Sequence, residues 1–236
     1  MLGYWWSGVI RLRDEMNWER DDSRTARIAS MHWRQQYQTA VMAVCRLRKS
    51  LLEVDMPADW AVPPDPIGSM FETLLAEPTE ALDHEVRGQA DEVLQAPLFE
   101  FELEPEFVEE VQLEALNGLL MLGERLMELD AKRANYIVYR VRAMTTYVDE
   151  VIADSLRLDP EGGAHRRYLS RLGSDVRAYG LGYFGSRNIE LEFACHGAIV
   201  QSPDVDFFSP AAGRELLIRG DEYSAEVATA LRRFLS

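Results

Sequence analysis

Lysine, cysteine and histidine are scarce in this chain of 236 residues, which contains two lysines, two cysteines and four histidines. No apolar run is long enough to cross a membrane, and charged residues from Arg11 onwards interrupt any signal-peptide pattern. Cys45 and Cys195 are too few for a disulfide-rich secreted domain, so we expect reduced, packed thiols. Nearly all positive charge is arginine, which is typical of a GC-rich bacterial genome. The sequence therefore predicts a cytoplasmic bacterial protein without membrane contact.

Positive charge is also in deficit overall. Asp and Glu number 40 against 25 Lys and Arg, which gives a formal net charge of −15. A surface of this sign repels nucleic-acid phosphates and anionic lipids and attracts basic proteins. The acids are interleaved with apolar residues, as between residues 100 and 110, so they predict the outer sides of folded elements. We expect a basic protein partner and no direct binding of nucleic acid.

Catalytic motifs with the correct spacing are missing. No histidine lies three or four residues from another histidine or from a cysteine, so a zinc site is not indicated. Cys195 and His196 form a weak candidate for a nucleophile and its base, because nothing nearby in the sequence marks an electropositive site. Gly180, Gly182 and Gly185 follow a predicted helix instead of a strand, which does not fit a dinucleotide-binding loop. We name no catalytic residue and no cofactor.

Carboxylates on the long helices provide one metal-binding alternative. Paired acids on two neighbouring helices can hold Mg²⁺, and the candidate ligands here are Glu106, Glu109, Glu110 and Asp154. They would serve a metal-dependent hydrolase. The second helix lacks the expected spacing, however, and solvent-facing acids on amphipathic helices explain the same residues without a metal. The sequence therefore favours a protein that is not an enzyme.

Apolar residues recur with the period of an α-helix over the first half of the chain. One long helix is predicted over residues 24–54, with Ser23 as its N-cap. A proline-rich connector over 56–66 follows, and then two shorter helices over 69–75 and 79–94.

The strongest helical pattern covers residues 106–129, and a second long helix is predicted over 131–158. The short connection between them predicts an antiparallel helical hairpin at the centre of a multi-helix bundle. A further helix is predicted over 164–179 and a terminal one over 221–235.

The pattern changes after the glycines that follow residue 179. Over 188–195 apolar and polar residues alternate strictly, which is the period of a strand, although a helix capped at Ser186 fits the same residues. The chain is thus divided into a helical body over 1–182 and a small, strand-bearing or irregular C-terminal part over 183–236, packed on the body.

Two surface features carry the functional prediction. Glu100, Glu102 and Glu104 alternate on a strip that flanking prolines hold extended, so their side chains point the same way. Trp5 and Trp6 are residues of the type enriched at interface anchors. Together they predict a non-enzymatic interaction protein for a basic partner, such as an immunity protein, an antitoxin or an accessory subunit. The metal-dependent hydrolase and a structural, self-assembling subunit remain as alternatives.

Overall fold

The computed structural model describes residues 21–100, 104–124, 126–157, 182–202, 207–209 and 211–233. In this part of the chain the regular elements are helices and no residue is in a β-strand, which confirms the all-α class. The predicted helix over 164–179 lies outside the described residues. The helices are α1 (Asp21–Ala29), α2 (Trp33–Cys45), α3 (Arg48–Leu52), α4 (Pro64–Thr73), α5 (Glu80–Leu94), α6 (Phe107–Glu124), α7 (Ala131–Arg157), α8 (Tyr183–Gln201) and α9 (Ala211–Arg232).

Residues 24–54, predicted as one helix, form α1, α2 and α3 instead. The first break occurs because His32 caps α2. Its Nδ1 accepts a hydrogen bond from the backbone N–H of Arg34 at 3.3 Å, and the Gln35 side chain accepts one from the backbone N–H of His32 at 3.0 Å. A two-residue turn after Cys45 makes the second break. An apolar stripe continues across such short breaks and does not reveal them.

The proline-rich stretch over 56–66 behaves partly as predicted. It contains a short 3-10 turn at Ala58–Trp60, and Trp60 is buried in the core. Pro64 then begins α4, because a proline in the first helical turn loses no intrahelical hydrogen bond.

α2 lies inside the bundle, since all eleven residues from Gln35 to Cys45 are buried. It contacts α6, α7, α8 and α9. α6 and α7, the two helices of the predicted hairpin, also pack together. The Phe107 ring lies 5.3 Å from the Tyr147 ring, and Glu114 pairs with Arg140, so the two helices run in opposite directions. How much this pair stabilises the protein stays a prediction.

Residues 183–201 form α8, so the strand predicted within them is wrong and the alternative, a helix, is correct, although its N-cap is Gly182 and not Ser186. The alternation misled because α8 is buried on several sides and its apolar residues leave no clear stripe. Its polar residues hold the better signal. Asn188, Glu192 and His196 are spaced by four residues, which places them on one face of a helix.

Side chains of α8 and α9 belong to the same hydrophobic core as those of α2, α6 and α7. The predicted division into 1–182 and 183–236 concerns folding units and stays a prediction. Among the described helices, none has the length and apolar character needed to span a membrane.

Candidate functional sites

The residues predicted to bind a partner are only partly described. Glu100 and Glu104 are exposed, whereas Glu102, Trp5 and Trp6 lie outside the described residues. Glu100 is not in an extended strip as predicted, because Pro97–Glu100 forms a 3-10 turn. Proline favours the start of such a turn as readily as an extended segment, since its φ near −65° fits both.

The four carboxylates of the metal-binding alternative have ordinary roles where their contacts are described. Glu109 Oε2 accepts a hydrogen bond from the backbone N–H of Glu106 at 3.0 Å, which caps the start of α6. Burial raises the pKa of Tyr147, and the charge and hydrogen bond of Glu110 raise it further. Glu106 and Asp154 are exposed. Within the described ranges, no three His, Cys, Asp or Glu side chains are grouped closely enough to hold a metal ion.

Negative charge is concentrated in the middle of the chain. Between Ser50 and Glu124 there are 19 Asp and Glu residues but one positively charged residue, Arg87. The remainder of the chain has 21 acidic and 24 basic residues, so it is slightly positive. A running count of charge along the sequence would have found this segregation, which the net charge conceals.

Many of these acids lie on α4, α5 and α6. These helices pack side by side, since α4 contacts α5 and α5 contacts α6. α5 shows why the acids point outward. Thr79 caps its N-terminus, and Val86, Ala90 and Val93 face the core, which leaves the charged residues on the solvent side. Eleven acids of the segment are exposed and form no salt bridge with a described residue. We call this set the acidic surface: Asp55, Asp59, Asp65, Glu72, Glu80, Glu85, Asp91, Glu92, Glu100, Glu104 and Glu106.

Two large apolar side chains interrupt the acidic surface. Leu94, at the end of α5, is 38% exposed, and Phe99, in the following 3-10 turn, is 37% exposed. Glu92 and Glu100 flank them in sequence. Apolar residues surrounded by charge are the arrangement in which a partner gains affinity from the centre and orientation from the rim.

A second group of polar residues is buried, on the face of α8 that meets α2 and α7. Arg142 donates two hydrogen bonds to the Glu192 carboxylate, from Nε at 2.7 Å and from Nη2 at 2.6 Å. Burial favours the neutral acid, but the charge and hydrogen bonds of Arg142, with a smaller effect of Arg46, outweigh it and lower the pKa of Glu192. This pair is therefore ionised inside the protein.

The other titratable groups on this face are neutral. Burial lowers the pKa of His196 to about 4, against the opposing attraction of Glu192. Burial also raises the pKa of Cys195 to about 11 and that of Cys45 to about 12. Both thiols are free and buried, as predicted. A protonated thiol beside a neutral imidazole in the core does not offer the thiolate that nucleophilic catalysis requires.

The first turn of α8 binds a carboxylate of the chain itself. Asp149 on α7 accepts hydrogen bonds from the backbone N–H groups of Phe184 at 2.9 Å and Gly185 at 2.7 Å. A Cβ on Gly182 would lie 2.3 Å from Asp149 Cγ, so glycine is needed for this approach. The Tyr223 hydroxyl donates to the carbonyl oxygen of Phe184 at 2.9 Å and adds α9 to the junction. The helix N-terminus thus has its anion already.

Comparison of the chain with protein-family models, with curated proteins and with solved structures finds no significant match. What the protein does must therefore be inferred from its charge distribution and its buried polar groups.

Proposed function

We propose that this protein is a non-enzymatic interaction protein that binds a basic protein partner through the acidic surface. The segregation of charge between Ser50 and Glu124 carries the proposal. Exposed carboxylates without internal cations are free to pair with lysine and arginine of another molecule. They also act together, because charges within a Debye length of about 8–10 Å reinforce one another at physiological ionic strength.

The acidic surface and its apolar residues have different roles in this proposal. The carboxylates attract the partner over a distance and raise the association rate, which electrostatic steering increases by about 10- to 1000-fold. Leu94 and Phe99 then fill apolar pockets on the partner and slow dissociation. The partner is therefore a protein with a lysine- or arginine-rich face that encloses an apolar depression.

Charge also favours a different protein over a second copy of this chain as the partner. A two-fold symmetric dimer through the acidic surface would bring like charges together, which disfavours association by several kcal/mol. Self-assembly through this face is thus the weaker proposal. A cytoplasmic immunity protein, an antitoxin or an acidic accessory subunit fits the chemistry.

The proposal is tested by capture from a lysate of the source cells on three immobilised forms of the protein. The first is the wild type and the second is Glu92→Gln/Glu100→Gln/Glu104→Gln, which removes three carboxylates from the acidic surface. The matched control removes three exposed carboxylates elsewhere: Glu150→Gln/Glu215→Gln/Glu222→Gln.

We expect one dominant basic protein on the wild type and on the control variant, and much less of it on the acidic-surface variant. Leu94→Ala/Phe99→Ala should shorten the residence time of the same protein with little change in its association rate. An acidic captured protein, or equal loss on both triple variants, contradicts the proposal.

A further inference from the structure

Positive charge gathers inside this acidic protein, around the buried face of α8. Arg46 and Arg142 donate hydrogen bonds to residues of this face, and the charges of Arg27 and Arg219 act on its titratable groups from neighbouring helices. Those of Arg46, Arg142 and Arg27 lower the pKa of His196, and those of Arg46 and Arg219 lower the pKa of Cys195. The cluster is therefore Arg27 on α1, Arg46 at the end of α2, Arg142 on α7 and Arg219 on α9.

The carboxylates near the cluster do not balance it. Glu192 is bound by Arg142 through two hydrogen bonds. Asp149 is bound by the backbone at the start of α8, and Asp221 pairs with Arg48 and Lys49. Arg27, Arg46 and Arg219 form no salt bridge with any described residue. None of these three guanidinium groups therefore has a carboxylate of the described residues within salt-bridge distance, and Arg46 acts on Glu192 only through its charge.

Arg46 is the most enclosed of the three and is only 2% exposed. Its Nη1 donates to the carbonyl oxygen of Asn188 at 3.4 Å, and its Nε has no acceptor among the described residues. A guanidinium has five N–H donors, and burial without acceptors is unfavourable by several kcal/mol.

Asn188 lies on the same buried face of α8 and is fully buried. Its side-chain oxygen and nitrogen both lack hydrogen-bond partners within the described part of the chain. The Asn188 amide nitrogen and the Nε atoms of Arg46 and Arg27, all without acceptors, call for a ligand that supplies oxygen acceptors and negative charge.

We propose that this cluster, centred on Arg46 and Asn188, is a binding site for the phosphate group of a small molecule or for free phosphate. A phosphate group carries about −1.5 to −2 charges at neutral pH and several acceptor oxygens, which matches three arginines that form no salt bridge with a described residue better than one carboxylate does. Arg27 and Arg219 are only half-buried and provide the approach from solvent. The site is independent of the acidic surface and would function whether or not a protein partner is bound.

The test measures the melting temperature of the full chain in inorganic phosphate against sodium chloride of equal ionic strength. At a phosphate concentration ten times the dissociation constant, we expect a rise of about 3–6 °C for the wild type. Arg46→Gln should abolish this rise. Arg219→Gln, which alters a half-buried residue and is expected to fold, should also remove most of it.

Arg214→Gln is the matched control, because Arg214 is exposed on the same helix as Arg219. The melting temperature of Arg214→Gln should rise in phosphate as much as that of the wild type. If phosphate only stabilised proteins in general, the melting temperatures of all variants would rise equally. A larger rise of the melting temperature in glycerol phosphate than in inorganic phosphate would identify a phosphorylated small molecule as the ligand. An equal or smaller rise would identify the free anion. The proposal would be overturned if neither compound raised the melting temperature of the wild type. It would also be overturned if Arg46→Gln and Arg219→Gln showed the same rise as the wild type, or if malonate raised the melting temperature and phosphate did not.

Discussion

Acidification should destabilise this protein through one buried histidine. His196 is 3% exposed, and its pKa is lowered from 6.5 to about 4 by burial and by the neighbouring arginines. Because the folded state binds a proton less readily than the unfolded chain does, the contribution of His196 to stability is complete above pH 6.5. It is lost as the pH falls from 6.5 towards 4. Between about pH 7.5 and pH 5 the expected loss is about 2 kcal/mol.

The assay is urea unfolding of the wild type, His196→Gln and His84→Gln at several pH values in this range. His84 is exposed, so its variant controls for the loss of a histidine as such. The difference in unfolding free energy between pH 7.5 and pH 5 should be smaller by about 2 kcal/mol in His196→Gln and unchanged in His84→Gln. If the unfolding free energy of His196→Gln depended on pH as strongly as that of the wild type, the reasoning that the core holds this imidazole neutral would be refuted.

Three further predictions concern the core and the carboxylates. Leu116→Ala on α6 should lower the unfolding free energy by about 2–5 kcal/mol, because Leu116 is fully buried; a loss below about 1 kcal/mol in urea unfolding would show that the predicted hairpin is peripheral. Glu192→Gln should cost about 3–5 kcal/mol because it removes one of the two charges of a largely buried ion pair, whereas Arg142→Met/Glu192→Leu should cost less than the single change; equal or greater loss in the double variant would contradict this account of the pair. Titration with Mg²⁺ or Mn²⁺ should leave the melting temperature unchanged, since Glu109 and Glu110 are engaged by the backbone and by Tyr147; a rise of several degrees would favour the metal-dependent hydrolase.

Helix content was predictable from the sequence, because apolar periodicity reports which residues face a core. The breaks that separate α1, α2 and α3 were not, since they depend on capping by His32 and on a two-residue turn. α8 was harder still. Because α8 is buried on several sides, its apolar residues do not form a single helical stripe. An accidental alternation of apolar and polar residues over 188–195 predicted a strand instead.

Of the two candidate sites, one could be predicted from the sequence and the other could not. The acidic surface is a local property, and counting charge along the chain is sufficient to find it. The arginine cluster depends on the tertiary structure, because Arg46, Arg142 and Arg219 lie far apart in the sequence. Each of them, taken alone in the sequence, looks like a solvent-facing residue. The four-residue spacing of Asn188, Glu192 and His196 was the available signal, and it becomes informative only once that segment is known to be a helix.

The salt dependence of association tests the central claim most directly. The protein captured by the wild type would be mixed rapidly with each form of this chain, from about 10 to about 150 mM ionic strength. We expect the wild-type association rate to fall by about tenfold or more, with little change in the dissociation rate. Glu92→Gln/Glu100→Gln/Glu104→Gln should associate more slowly at low salt and show a shallower salt dependence, whereas Glu150→Gln/Glu215→Gln/Glu222→Gln should match the wild type. An association rate that does not respond to salt would contradict recognition through the acidic surface.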